Sequence, residues 1–365
     1  MKSTKRMISA VLAFVLSLAL LIPTGAFPAS DELPGGLTIE MIREQYEFGE
    51  MFVGSSGEGS FVILHNGAIV YESHARHHGI DKNQVMFSVT KSVVSALAGI
   101  AIGFGYIESV DQYVIDFFPD ARIRRGQESK REMTIYHLLT MQSGMPGMEN
   151  MRSILCVIDR RDSGLAAFMT PQIDAPGETF RYCSGATPQT LVGVIERATG
   201  QNLYDFAREH LFGPLGMDSV EWATTRAGSP FGGFGMRLSP SDMLRFGYLF
   251  LNDGVWEGER ILPEGWIEAS TEFFEISEIV GQELEEGFRM SYGYMWWSVP
   301  NDLGENFSAM GLGGAVISIY PEYDMVIART GVQTLWLRAA TWIVGAMFFP
   351  HNMWDSIWDF LFFWQ

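Results

Sequence analysis

The chain has 365 residues, 47% of them apolar, with 39 glycines and 15 prolines, a composition that folds rather than stays disordered. Its length exceeds one small core and suggests about two domains. With 43 acidic against 25 basic residues the formal charge is −18, which argues against nucleic-acid binding through clustered Lys and Arg.

The N-terminus reads as a targeting segment. Lys2, Lys5 and Arg6 precede an apolar run from Met7 to Ile22, and Pro23-Thr24-Gly25-Ala26 follows. Charged, apolar and small-residue zones in that order make a signal peptide over residues 1–26, with Ala29 as a second possible end. The expected protein is therefore exported: secreted, periplasmic or in the cell envelope. The apolar run is short for a span, so no stable membrane insertion is expected after cleavage. An uncleaved anchor is the alternative. Cys156 and Cys183 are the only cysteines; they form no disulfide framework and are expected as thiols of little consequence.

Residues 37–48 carry apolar Leu37, Met41 and Phe48 among acids, the pattern of an amphipathic helix. Two β-rich runs, 60–64 and 68–72, flank Asn66-Gly67 and predict a hairpin. From about residue 88 to 250 helices and loops take over. Short helices are expected over 134–144 (ended by Gly144), 187–199 (ended by Gly200) and 202–211, and another opens at Ser239-Pro240-Ser241-Asp242. Residues 272–289 are acidic and irregular, as a surface loop or flap would be. Sheet character returns in the aromatic stretch Tyr292–Trp297 and in runs 315–320 and 325–329, which a turn at 321–324 joins. A C-terminal helix is expected after Leu335. Strands at both ends around a helical block suggest one α/β domain interrupted by an all-α domain, with a site in the groove between them.

Ser88-Val89-Thr90-Lys91 sits where the β-rich runs give way to a long apolar segment without proline. If Ser88 opens a helix, Lys91 lies on the same face one turn on. A serine hydroxyl needs a base to become a nucleophile, and a lysine whose charge is disfavoured can be that base. The bland alternative is an N-cap and a solvated lysine. Tyr182, in Pro176–Gly185, is a second candidate: a phenol can pass a proton to and from a leaving group if a cation such as Lys91 lowers its pKa. The third is Met310-Gly311-Leu312-Gly313-Gly314-Ala315, where glycines on a strand edge admit a ligand and the Ala315 N–H could join that of Ser88 around an oxyanion.

Other chemistries lack support. There is no G-x-S-x-G for an α/β-hydrolase elbow. His74, His77 and His78 cluster, but without H-E-x-x-H or C-x-x-C spacing, so they read as polar loop. No metal and no cofactor are expected.

In order and spacing, S-x-x-K, then Y-x-S, then L-G-G-A before a late strand, the chain resembles the penicillin-recognising serine hydrolases. The Tyr in the second motif resembles the class C β-lactamase branch, which includes family VIII esterases, D-aminopeptidases and 6-aminohexanoate-dimer hydrolases. Framing stretches around 137–144, 176–178, 232–239 and 292–297 look similar too. The resemblance covers about residues 50 to 335.

What it implies is a β-lactamase/transpeptidase-like α/β (α+β) fold: an antiparallel sheet flanked by helices, plus an inserted all-α domain. Residues 27–87 and 288–365 would form the discontinuous sheet domain, and 88–287 the mostly helical one with its acidic loop. Ser88 would be the acylated nucleophile, Lys91 and Tyr182 the acid/base pair, and the Ser88 and Ala315 N–H groups the oxyanion hole. Ser184, Leu312, Gly313 and Gly314 would border the substrate. Two departures narrow the chemistry. Ser184 stands where β-lactamases of this branch carry an Asn that binds an acylamino side chain, and Leu312 where they carry a Lys that binds a carboxylate. Both argue against efficient β-lactam turnover and favour an ester or small amide without an anionic group at that end; the expected partner is a small-molecule ester, amide or peptide substrate. The alternatives are a β-lactamase or D,D-peptidase acting on cell-wall peptides, and an inactive relative that binds the cell wall.

Overall fold

Two short sequence signals, Asn66-Gly67 and a set of alternating apolar runs, account for the frame of the molecule. The computed structural model describes residues 59–75, 78–147, 160–276, 289–301 and 303–330, with short pieces at 32–33, 37–39, 41–42, 278–279 and 282–283. Asn66 and Gly67 take φ of 49° and 72°, the left-handed pair that a two-residue hairpin demands. They join β1 (Ser60–His65) to β2 (Ala68–His74). Six more strands follow late in the chain: β3 (Phe274–Glu275), β4 (Ser291–Tyr292), β5 (Trp297–Ser298), β6 (Phe307–Gly311), β7 (Ala315–Tyr320) and β8 (Met325–Arg329). They pair antiparallel throughout, in the order β3-β4-β5-β6-β7-β8-β1-β2.

Successive side chains on a strand point to opposite faces, and here both faces are covered. Val62, Ile317, Ile319, Val326 and Ala328 pack toward the helices. Ile63, Tyr320, Met325 and Ile327 pack with Ile42 and Leu303 on the other side.

The helix α1 (Val89–Gly103) is buried at every residue from Val89 to Ala101. A helix without a solvated face belongs at the centre of a fold, and each large aliphatic side chain it buries contributes roughly 1.5–3 kcal/mol. Around it lie α2 (Ile135–Leu139), α3 (Ser163–Phe168), α4 (Ala186–Thr199), α5 (Leu203–Ala207), α6 (Pro240–Leu251) and α7 (Trp266–Ser270). Helices α3 and α4 meet backbone to backbone: a Cβ on Gly193 would fall 2.6 Å from the Gly164 Cα. The helix start expected at Ser239–Asp242 forms, closed by a capping box between Ser239 and Asp242, and that helix covers β7 and β8. A small sheet of Gln84–Val85, Met236–Leu238 and Glu221–Trp222 ties the approach to α1 to the middle of the chain.

Three local expectations change. In the stretch 37–48, Leu37–Thr38 pairs as a strand with Glu32–Leu33, while Ile39, Met41 and Ile42 are helical as expected, with Ile42 rather than Met41 the buried one; residues 40 and 43–48 lie outside the described residues. The helix expected to run to Gly144 stops at Leu139, because Met141 turns to φ 58°. The acidic stretch 272–289 supplies β3, an edge strand of the main sheet, because Phe274 pairs with Tyr292. The signal segment, His77, Cys156 and the C-terminal tail lie outside the described residues. No helix among the described residues is long and apolar enough to cross a membrane.

Candidate active site

Ser88 is placed by a clamped turn. Phe87, just before it, holds φ 45°, a conformation that costs a non-glycine residue on the order of 1 kcal/mol and persists only where the surroundings impose it. Those surroundings are visible. The Met86 N–H donates to the Met236 carbonyl at 2.9 Å, and Gly311 at the end of β6 comes so close that a Cβ there would lie 2.1 Å from the Met86 oxygen. Ser88 then caps α1, and one turn on Lys91 lies beside it, 2.8 Å from Nζ to Oγ.

Lys91 is 1% exposed, and its hydrogen-bond partners are neutral: Ser88 Oγ, Ser184 Oγ at 2.9 Å and the Gly233 carbonyl at 2.9 Å. Burial lowers its pKa to about 7, against a smaller raising influence from Cys183. Nζ donates to all three; when the amine is neutral, its two N–H bonds can stay on Gly233, which can only accept, and on Ser184, leaving a lone pair for the Ser88 O–H.

The Tyr182 ring lies under this amine, with Nζ 4.7 Å from its centroid. The nearby Ser88 hydroxyl and Trp297 indole act to lower the pKa of its phenol. Burial nevertheless pushes the phenol above its ordinary value, opposite to the lowering expected from a neighbouring cation. The physical reason is that the same burial disfavours the charge on Lys91. Tyr182 packs against Trp297 and Tyr292, with ring centroids 5.1 Å and 6.1 Å away, so one flank of Ser88 is an aromatic wall.

The turn at Leu312-Gly313-Gly314 forms the other flank. Gly313 and Gly314 hold φ of 80° and 84°, which only glycine adopts without strain. They lead to buried Ala315, the first residue of β7, which packs near α1. Leu312 is 54% exposed. Ser184 lies on Lys91 as described, not merely at the substrate border assigned to it from the sequence.

Two groups carry no role in the sequence reading and stand out here. Gly233 supplies the carbonyl that holds Lys91, and it can do so because it lacks a side chain: a Cβ would lie 2.1 Å from the Ser184 oxygen. The neighbouring Gly232 N–H donates to Gln189 Oε1 at 3.0 Å, which pins the loop to α4. Trp297 contacts Tyr182. The paired glycines and the Tyr292–Trp297 stretch were the available signals. His74 binds Ser60 Oγ and Glu72 Oε1, each at 2.7 Å, and Cys183 is a buried free thiol.

A family profile described as Beta-lactamase matches residues 52–331. The 6-aminohexanoate-dimer hydrolase of Paenarthrobacter ureafaciens is 25% identical over 297 residues, which is 74% of this chain and 71% of that protein. Among solved structures, the octameric penicillin-binding protein homologue from Pyrococcus abyssi superposes with a TM-score of 0.59 at 18% identity, covering 84% of this chain and 76% of that one. A family VIII carboxylesterase superposes with a TM-score of 0.62 at 15% identity, covering 79% and 89%. These two likenesses speak for the shared fold. The profile match runs through all eight strands of the main sheet and through Ser88, Lys91 and Tyr182, and by that match the chain belongs to the beta-lactamase family.

Proposed function

We propose that the protein is an exported serine hydrolase that cleaves an ester or small amide through an acyl-enzyme on Ser88. The observation that carries this reading is the fully buried Lys91 amine, 2.8 Å from the Ser88 hydroxyl and surrounded by neutral partners. Lys91 acts as the base: it takes the Ser88 proton as Oγ attacks the carbonyl carbon. Tyr182, whose proton is held tightly, acts as the acid toward the leaving group. The N–H groups of Ser88 and Ala315 receive the oxyanion, and water then releases the acid. Gly313 and Gly314 let the substrate backbone approach, and Leu312 offers it an apolar contact in place of a cation. The 6-aminohexanoate-dimer hydrolase relative supports an amide or ester substrate of small size.

Intact-mass measurement after incubation with a fluorophosphonate, an ester panel and a β-lactam panel tests the reading. The expected result is one adduct from the fluorophosphonate and from short esters, lost in Ser88→Ala. Absence of any adduct on the wild-type protein refutes it. Faster turnover of β-lactams than of esters would replace it with a β-lactamase or D,D-peptidase.

A further inference from the structure

Residues 293–296 form the turn between β4 and β5, and the rings that back Tyr182 stand at its two ends. Tyr292 closes β4 and Trp297 opens β5. The two pair in register with ring centroids 4.5 Å apart, and both contact the Tyr182 ring. What sets this turn therefore sets the wall behind Tyr182. Its third residue, Met295, holds φ 61° and is buried. That is left-handed backbone, which a bulky residue keeps only where its surroundings impose it. Both sides of the residue are held. The Met295 N–H donates to the Gly293 carbonyl at 2.9 Å and to the Leu139 carbonyl, at the end of α2, at 3.0 Å. The Met295 carbonyl accepts from the buried Ser92 hydroxyl at 2.7 Å. Ser92 lies in α1 four residues after Ser88, a spacing that puts both on one helix face.

We propose that Ser92 is a positioning residue for Tyr182: its hydroxyl holds Met295 in the left-handed conformation, and the turn so fixed presses Tyr292 and Trp297 against the Tyr182 ring. One face of α1 thus carries both the nucleophile and the anchor for the packing of the acid. The inference rests on the Ser88 acyl-enzyme reading above. In that acylation the Ser88 oxygen bonds to the carbonyl carbon and its proton passes to Lys91 Nζ. The bond from that carbon to the leaving oxygen or nitrogen breaks, and the leaving atom keeps the electron pair and takes the Tyr182 proton. The Lys91 ammonium returns a proton to the phenolate, and the balance closes. Without the Ser92 hydroxyl, Met295 loses the clamp on its carbonyl and relaxes, and the two rings move away from Tyr182. Ser88 and Lys91 stay in place, because Gly233 and Ser184 hold the amine independently of the turn. The loss falls on proton delivery to the leaving group.

Leaving-group dependence separates this role from a merely structural one. A nitrophenolate departs without being protonated, whereas an alkoxide does not. Wild type and Ser92→Ala are compared on a nitrophenyl ester and an ethyl ester of the same acid. The expected result is that kcat/KM for the ethyl ester falls about 10-fold further than for the nitrophenyl ester, part of the roughly 100-fold that a misplacement of about 1 Å costs. If the alanine variant does not fold, Ser92→Cys, whose thiol is a weak donor, makes the same comparison. Glycine takes positive φ without strain, so it does not need the clamp. In a Met295→Gly background, or Met295→Asn if the glycine variant does not fold, Ser92→Ala should move the ratio of the two esters by less than about 3-fold, as expected of two residues that act through one strain. Equal losses on both esters, no loss on either, or an undiminished change in the glycine background overturn the Ser92 assignment while wild-type acylation stands. Failure of wild type to acylate with either ester or with a fluorophosphonate overturns the Ser88 reading itself.

Discussion

The Gly233 carbonyl and the Ser184 hydroxyl hold the Lys91 amine from two sides, each at 2.9 Å, and the two residues are themselves in backbone contact. Gly233 lies against Ser184 so closely that a Cβ would meet the Ser184 carbonyl oxygen at 2.1 Å and its carbon at 2.7 Å. The amine's orientation thus depends on a missing side chain.

Gly233→Ala should therefore act on chemistry more than its size suggests. The methyl group has backbone on the far side and no flexible neighbour to displace, so the loop must move and take its carbonyl from Lys91. Misplacing a reacting group by about 1 Å costs on the order of 100-fold in rate. The expected outcome is a kcat/KM on a short nitrophenyl ester lower by about that factor, with circular dichroism retaining the native signature. An alanine variant as fast as wild type would show that the carbonyl does not hold the base.

The pH profile follows from Lys91. Its pKa is lowered to about 7 by burial, and it must be neutral to accept the Ser88 proton. Activity should rise with pH through that value and then level, because Tyr182 keeps its proton well beyond it. Measured kcat/KM from pH 5 to 9 checks this, since it reports the free enzyme. Lys91→Met should slow fluorophosphonate labelling by about 1,000-fold, the scale of losing a positioned general base, and should remove the acid limb.

A second buried lysine makes a stability prediction away from the site. Lys130 is 2% exposed, donates to the Thr170 carbonyl at 2.8 Å and lies 5.2 Å from the centre of the Phe168 ring. Burial lowers its pKa from 10.5 to about 7. Between those values the unfolded chain binds a proton that the folded one does not, so stability rises with pH across the window. Below about pH 7 the cost of burying the ammonium is fully present. Lys130→Met removes the titration. The stability of this variant relative to wild type should fall as pH rises from 7 to 9.5, by on the order of 3 kcal/mol. Urea melts of both proteins across that range measure it, and a constant difference would show that the lysine does not titrate there.

Much of the site is legible in sequence because its parts are local. Ser88 and Lys91 are one helical turn apart, so their contact follows from spacing alone. The Asn66-Gly67 hairpin and the helix start at Ser239 follow from residues two or three apart. What does not show is set by tertiary geometry. The direction of the Gly233 carbonyl depends on where α4 and Ser184 put their backbones, and Trp297 reaches Tyr182 only because β5 pairs with β4. The pKa of Tyr182 inverts for the same reason. Spacing places a lysine nearby, but only the packed structure shows that burial disfavours its charge. Residues 272–289 look irregular because acids dominate them, yet Phe274 finds Tyr292 and completes the sheet edge.

Ser184→Ala gives the last prediction, because the hydroxyl has a direction to its effect. Ser184 Oγ accepts from Lys91 Nζ, and an acceptor favours the ammonium over the neutral amine. Removing it should lower the Lys91 pKa further, so the acid limb of kcat/KM moves to lower pH. The plateau should also fall, by about 5-fold, because one of the two groups that orient the lone pair toward Ser88 is gone and the lost hydrogen bond is worth about 1 kcal/mol. A variant with a lower plateau but an unmoved limb would place Ser184 on the substrate rather than on the base. A limb moved to higher pH would mean that Ser184 donates to Lys91. Either result is read from the same profile, measured beside wild type on one neutral ester.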